Sequence, residues 1–325
     1  MLYNHYVSDY YRSLVSVVQL FINLFHSIRP RQTLKNLALA APLIFSGQLF
    51  LADSFWLTVK CVFIFSILTS SIYLFNDVID ISKDKLHPIK KKRPIASGKI
   101  PVSLALLFFI GGFLVSLYLA YLVNLFFFLA CLVYFILQIG YSLILKKIVL
   151  IDILVIAAGF IIRVYAGALA LNVHMNVWFL LCVISLALFL AAGKRRTELA
   201  ILEQQAAQHR KTLSFYSPPL LDSYLSIFAN SAWMAYALYT FFVPPPPITQ
   251  RFSFLTQLPL TFSGINKWLM ITIPVVIFGI MRYLKIIHEG KRAESPEKVL
   301  LGDKTLLFTV GLWIFLVVVI MYGVI

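Results

Sequence analysis

Acidic residues are scarce in this chain. Its 325 residues include 13 Asp and Glu against 28 Lys and Arg, a formal net charge of +15. In a soluble protein that excess would point to nucleic acid. Charged residues are only 13% of the chain, however, and 61% is hydrophobic, where soluble domains run near half apolar. The basic excess is therefore read as membrane topology, with no nucleic-acid partner. Cysteine is also rare. Cys61, Cys131 and Cys182 all fall in apolar runs without metal-ligand spacing, which makes them packing residues. Strict apolar–polar alternation is missing, which excludes a transmembrane β-barrel. The N-terminus lacks the pattern of a cleavable signal peptide.

What is abundant is long apolar runs. Nine are near the length that crosses about 30 Å of hydrocarbon as a helix: 34–52, 55–78, 101–121, 124–144, 151–171, 176–194, 217–240, 268–287 and 304–325. The expected fold is an all-α integral membrane bundle of nine transmembrane helices. Before it, Leu14, Val17, Val18, Phe21, Leu24, Phe25 and Ile28 recur at helical spacing, with Arg12, Ser16, Gln19, Asn23 and Ser27 opposite. That pattern predicts an amphipathic interfacial helix ended by Arg29-Pro30. Two regions follow: an interfacial segment, 1–30, and a nine-helix membrane domain, 31–325.

With the N-terminus inside, 24 of the 28 basic residues lie in inner segments. Arg251 and Lys267 are outside, and Lys60 and Arg163 sit within spans. The positive-inside rule then sets the C-terminus and the Pro244–Pro247 run outside.

Chemistry concentrates at the inner end of the second span, in Asn76-Asp77-Val78-Ile79-Asp80-Ile81-Ser82-Lys83-Asp84. If the helix continues, Asp77, Asp80 and Asp84 share one face. Close carboxylates repel unless a cation sits among them. Hard oxygen donors without His or Cys suit Mg²⁺, which takes one or two carboxylates and fills its shell with water and phosphate. The bland alternative is a solvated acidic cap. Lys90 and Arg93, flanking a Pro turn, are candidates for phosphate contact; Lys91 and Lys92 fit a loop on anionic lipid equally well. Two more inner loops carry Tyr141, Lys146 and Asp152, and Lys194, Arg195 and Glu198. All three loops are expected at one membrane face, in a common pocket. Arg163 lies about 16 Å into its span, where a charge is costly and functional by default. Backbone carbonyls and a lipid phosphate are both open as its partner.

The segment from Asn76 to Asp84 resembles the first aspartate-rich motif of the UbiA superfamily of intramembrane prenyltransferases, and the resemblance spans nearly the whole chain. More narrowly, the chain resembles the decaprenyl-phosphate phosphoribosyltransferases of that superfamily. Carrying this are Arg29-Pro30-Arg31-Gln32 with Lys35-Asn36, His87-Pro88 leading into Arg93-Pro94-Ile95-Ala96, Asp152-Ile153, Gly159-Phe160 with Arg163, and Gly193-Lys194-Arg195 with Glu198. One departure is informative. The second aspartate-rich motif of typical members is replaced by a basic segment whose acids are Glu198 and Glu203. Two more phosphates to neutralise would ask for that change.

The resemblance implies transfer of a 5-phosphoribosyl group from phosphoribosyl diphosphate to a polyprenyl phosphate, toward arabinosyl lipid donors for the cell envelope of a bacterial plasma membrane. Asp77, Asp80 and Asp84 would be catalytic and hold Mg²⁺. Lys35, Asn36, Asn76, Lys90, Arg93, Tyr141, Lys146, Asp152, Arg163, Lys194, Arg195 and Glu198 would line the substrates. The rival enzyme is a prenyltransferase using a prenyl diphosphate donor. A non-enzyme rival is a lipid transporter, although transporters set coupling residues near the midplane on broken helices.

Overall fold

The computed structural model describes residues 18–86, 90–202, 211–243, 267–289 and 296–323. His87, Pro88, Glu203, the Pro244–Pro247 run and the start of the N-terminal segment with Arg12, Leu14, Ser16 and Val17 lie outside them. Every regular element among the described residues is helical. They are α1 (18–27), then α2 (Ala41–Phe45), α3 (Ala52–Ile79), α4 (Ile81–Leu86), α5 (Val102–Val123) and α6 (Leu125–Leu143). Next come α7 (Ile151–Leu171), α8 (Val177–Leu202), α9 (Pro218–Phe242), α10 (Ile273–His288), α11 (Pro296–Gly302) and α12 (Lys304–Tyr322).

Seven described helical segments are long and apolar enough to cross a membrane, namely α3, α5, α6, α7, α8 to Ala200, Trp268–His288 and α12. Two of the nine expected runs, 34–52 and 217–240, are not among these seven. The stretch read as the first span is a 3₁₀ helix, Pro30–Ala40, followed by the single turn and a half of α2. Gly47, at φ +78°, lies just beyond α2. The other run is α9, which is 25 residues long but diluted by Asp222, Ser223, Ser226, Asn230 and Ser231. Elsewhere the apolar runs and the helices coincide closely, and α7 spans the expected 151–171.

Local chemistry explains the boundaries. α5 ends and α6 begins around Asn124 alone, whose Oδ1 accepts the Phe127 amide at 2.7 Å, a side-chain N-cap. Ser217 caps α9, with Pro218 and Pro219 in its first turn. Asp303 caps α12 by accepting from the Leu306 amide at 2.8 Å.

Two compact units emerge, each discontinuous in sequence: residues 1–36 with 62–143, and 37–61 with 144–325. In the first, α5 and α6 form a hairpin with Phe109, Phe113 and Phe135 stacked between them. In α1 both faces carry some of each kind of side chain. Asn23, Leu24 and Ser27 are buried, while Val18, Phe21 and Phe25 are exposed. Apolar side chains turned outward suit a lipid surround, and the Ser27 hydroxyl is satisfied by the Asn23 carbonyl. In the second unit α8 packs along α9 and α7, around Phe189, Leu225, Tyr283 and Ile287.

Candidate active site

The aspartate motif lies in the first unit. Helical hydrogen bonding runs through the junction of α3 and α4: the Asp80 amide bonds the Asn76 carbonyl at 3.0 Å and the Asp84 amide bonds the Asp80 carbonyl at 2.8 Å. Asp77, Asp80 and Asp84 thus follow one helical course, as their spacing requires. Asp77 and Asp84 are buried, and Asp80 is half-buried.

Guanidinium groups meet the two buried carboxylates. Arg93 Nη1 donates to Asp84 Oδ2 at 2.6 Å and to Asp77 Oδ1 at 3.0 Å. Arg29 Nη2 also donates to Asp77 Oδ1. Arg29 adopts a left-handed backbone, φ +55°, and its guanidinium lies 5.2 Å from the Tyr73 ring centroid. Burial pulls the Arg29 pKa below its ordinary value, opposed by the charge of Asp77. Two aspartates and two arginines make a locally neutral quartet. Sequence reasoning gave Arg29 no site role. Its adjacency to Pro30 was visible, but a partner 48 residues away was not.

The surrounding candidates are tied in by polar contacts. Ser142 of α6 donates to Asn76 Oδ1. Asn36 is fully buried, and its Nδ2 donates to Ser66 Oγ at 3.0 Å and Thr69 Oγ1 at 3.1 Å. Those bonds fasten the 3₁₀ segment to α3. Lys90, at the start of a short 3₁₀ turn, and Tyr141, in the last turn of α6, are half-buried. Lys35 is half-buried too.

The donor set fits Mg²⁺. Its oxygens are hard, and a cationic nitrogen already lies within bonding distance of carboxylates from two helical turns. Among the described residues no three acids, His or Cys gather into a ready-made cage.

The remaining candidates belong to the second unit. Lys194, Arg195 and Glu198 lie on α8 rather than in a loop, because that helix runs eight residues past its expected end at 194. Arg195 is wholly buried; its Nε pairs with Asp152 Oδ2 at 2.7 Å and its Nη1 with Glu198 Oε2. The next residue, Arg196, pairs with Asp222 at 2.8 Å. The adjacent cations Arg195 and Arg196 of the basic segment are thus accompanied by three carboxylates. Arg195, expected to line the substrates, is braced by neighbouring carboxylates. Asp152, in the first turn of α7, also accepts from the Tyr216 hydroxyl at 2.7 Å. Burial, then that hydrogen bond, push the Tyr216 pKa up and keep the hydroxyl protonated. Lys146 is half-buried in the 3₁₀ turn Leu145–Lys147. Arg163 is buried inside α7 and donates to the Gly159 carbonyl at 2.6 Å, one of the two kinds of partner expected for it.

Comparison with known proteins adds to this geometry. The model of the UbiA prenyltransferase family matches residues 36–301. The decaprenyl-phosphate phosphoribosyltransferase of Mycolicibacterium smegmatis is 34% identical over 299 residues, covering 90% of each chain. That of Corynebacterium glutamicum is 32% identical over 300 residues, covering 91% of this chain and 86% of its own. In fold the chain is similar to a UbiA homolog from Archaeoglobus fulgidus, solved bound to GPP and Mg²⁺. The TM-score is 0.67 at 18% identity, over 92% of this chain and 99% of that one.

Proposed function

The chain belongs to the UbiA prenyltransferase family, and on that premise we propose that it moves a 5-phosphoribosyl group from phosphoribosyl diphosphate to a polyprenyl phosphate, releasing diphosphate. The observation that carries this reading is the identity of about a third, over nearly the full length, to phosphoribosyltransferases acting on decaprenyl phosphate. The basic character of the 194–196 segment, where typical members carry a second acidic motif, is consistent with it.

The chain is a multi-pass integral membrane protein. Its motif and N-terminus face the cytoplasm, and its C-terminus faces outward, by the distribution of Lys and Arg. Asp77, Asp80 and Asp84 would hold Mg²⁺, which supplies charge neutralisation of the departing diphosphate. Arg93 and Arg29 bond the motif's carboxylates. Their fork-shaped donors suit diphosphate oxygens equally well, and aspartates so relieved would be the residues to hold the metal. Lys90 adds a further cation. An oxygen of the lipid phosphate then forms a bond to the anomeric carbon as the carbon–oxygen bond to diphosphate breaks, and the diphosphate takes the electron pair. The attacking oxygen is already anionic, so no general base is required. The transition state resembles an oxocarbenium ion, which neighbouring carboxylates tolerate. Arg163 and Lys146 are the candidate contacts of the lipid phosphate, whose chain runs among the spans.

Purified protein given labelled phosphoribosyl diphosphate and polyprenyl phosphate should yield a Mg²⁺-dependent phosphoribosyl lipid. Absence of that product, or full activity in Asp77→Asn, would overturn the reading.

A further inference from the structure

The larger unit contains a buried charged chain of its own, whose last carboxylate is partly exposed. It begins at Leu150, held in a left-handed backbone at φ +68°. The Leu150 amide donates to the Tyr216 hydroxyl at 2.8 Å, and that hydroxyl donates to Asp152 Oδ1 at 2.7 Å. Asp152 Oδ2 pairs with Arg195 Nε at 2.7 Å, and Arg195 Nη1 reaches Glu198. The side chains of Asp152 and Arg195 are 0% exposed, whereas that of Glu198 is 21% exposed. Tyr216 is buried as well.

Such an arrangement is expensive unless every member is satisfied. A guanidinium sealed at zero exposure meets no ligand without rearrangement. What the chain can do is fix Glu198, its one ionisable member that is not fully buried. Glu198 follows three consecutive cations in a protein whose proposed substrates are anionic, so a phosphate would be repelled by it. The adjoining Arg195 charge also weakens it as a metal ligand. An ionised carboxylate only accepts hydrogen bonds, which leaves neutral hydroxyl donors. The phosphoribosyl donor differs from a prenyl diphosphate in carrying sugar hydroxyls. We infer that Glu198 accepts hydrogen bonds from hydroxyls of the transferred pentose, and that Tyr216, Asp152 and Arg195 are positioning residues that hold it. This rests on the phosphoribosyl reading above.

The test compares kcat/KM for phosphoribosyl diphosphate and for its 2-deoxy and 3-deoxy analogues, in the full chain reconstituted in lipid. The wild type should prefer the intact sugar over at least one analogue by about tenfold to a hundredfold, the worth of a hydrogen bond to a charged group. Glu198→Gln should bring that preference within about threefold, mainly by losing rate with the intact sugar. Tyr216→Phe, which removes only the hydroxyl, should reduce the preference part of the way. In the Glu198→Gln background it should reduce it no further. A wild type that uses the ribosyl donor without discriminating would overturn the inference and leave the function standing. So would a Glu198→Gln variant that slows all donors equally. A wild type that does not use the ribosyl donor would overturn both.

Discussion

Arg93 Nη1 donates to Asp84 Oδ2 at 2.6 Å, across nine residues of sequence, so one arginine beyond the motif neutralises its last aspartate. The same nitrogen reaches Asp77 at 3.0 Å. A lysine would bring a point charge but not the fork that serves two carboxylates and then a diphosphate. Arg93→Lys is expected to lower kcat/KM by about tenfold and Arg93→Ala by about a hundredfold, read from initial rates at saturating Mg²⁺.

Arg29 should matter for stability as well as turnover. Its removal leaves the buried Asp77 with one cationic partner fewer. A hydrogen bond to a charged group is worth about 2 kcal/mol, so Arg29→Ala should lower the unfolding temperature in detergent and reduce activity together. Arg29→Lys should recover most of the stability and less of the activity. An Arg29→Ala protein as stable and active as the wild type would remove this residue from the site.

Much of this was legible in the sequence. The spans announced themselves by length and hydropathy, and Asp77, Asp80 and Asp84 by helical spacing. The parts that were not legible depend on long-range partners. Arg195 and Arg196 look like a basic patch until Asp152 and Asp222, 43 and 26 residues from Arg195 and Arg196 respectively, supply their counter-charges. Arg29 looked like a topology signal because Asp77 is 48 residues away. The 34–52 run has the length of a span, but hydropathy does not distinguish a 3₁₀ segment from an α-helix. In α1 the periodicity was visible and the burial of Asn23 and Ser27 was not.

Metal dependence should follow the motif. Chelation should abolish transfer, and added Mg²⁺ should restore it. Asp84→Asn, which removes a charge while keeping size, should raise the Mg²⁺ concentration for half-maximal rate by about tenfold. The apparent KM for polyprenyl phosphate should stay unchanged. A KM shift without a Mg²⁺ shift would move Asp84 from metal to lipid.

Gly167 tests the fold independently of chemistry. A Cβ there would stand 2.0 Å from the Leu39 carbonyl oxygen, and a backbone atom has little room to yield. Close backbone approach through small residues is how membrane helices pack. Gly167→Ala should therefore reduce the yield of monodisperse protein several-fold, measured by size-exclusion chromatography. The same change at Gly111, where a Cβ meets nothing within 4 Å, should be silent.

Donor choice tests the central claim most directly. Purified protein, with polyprenyl phosphate and Mg²⁺, is offered labelled phosphoribosyl diphosphate in one reaction. In another it is offered a labelled prenyl diphosphate with an aromatic acceptor. The account predicts a phosphoribosyl lipid and stoichiometric diphosphate in the first and no transfer in the second. Prenyl transfer in the second, with none in the first, would contradict it.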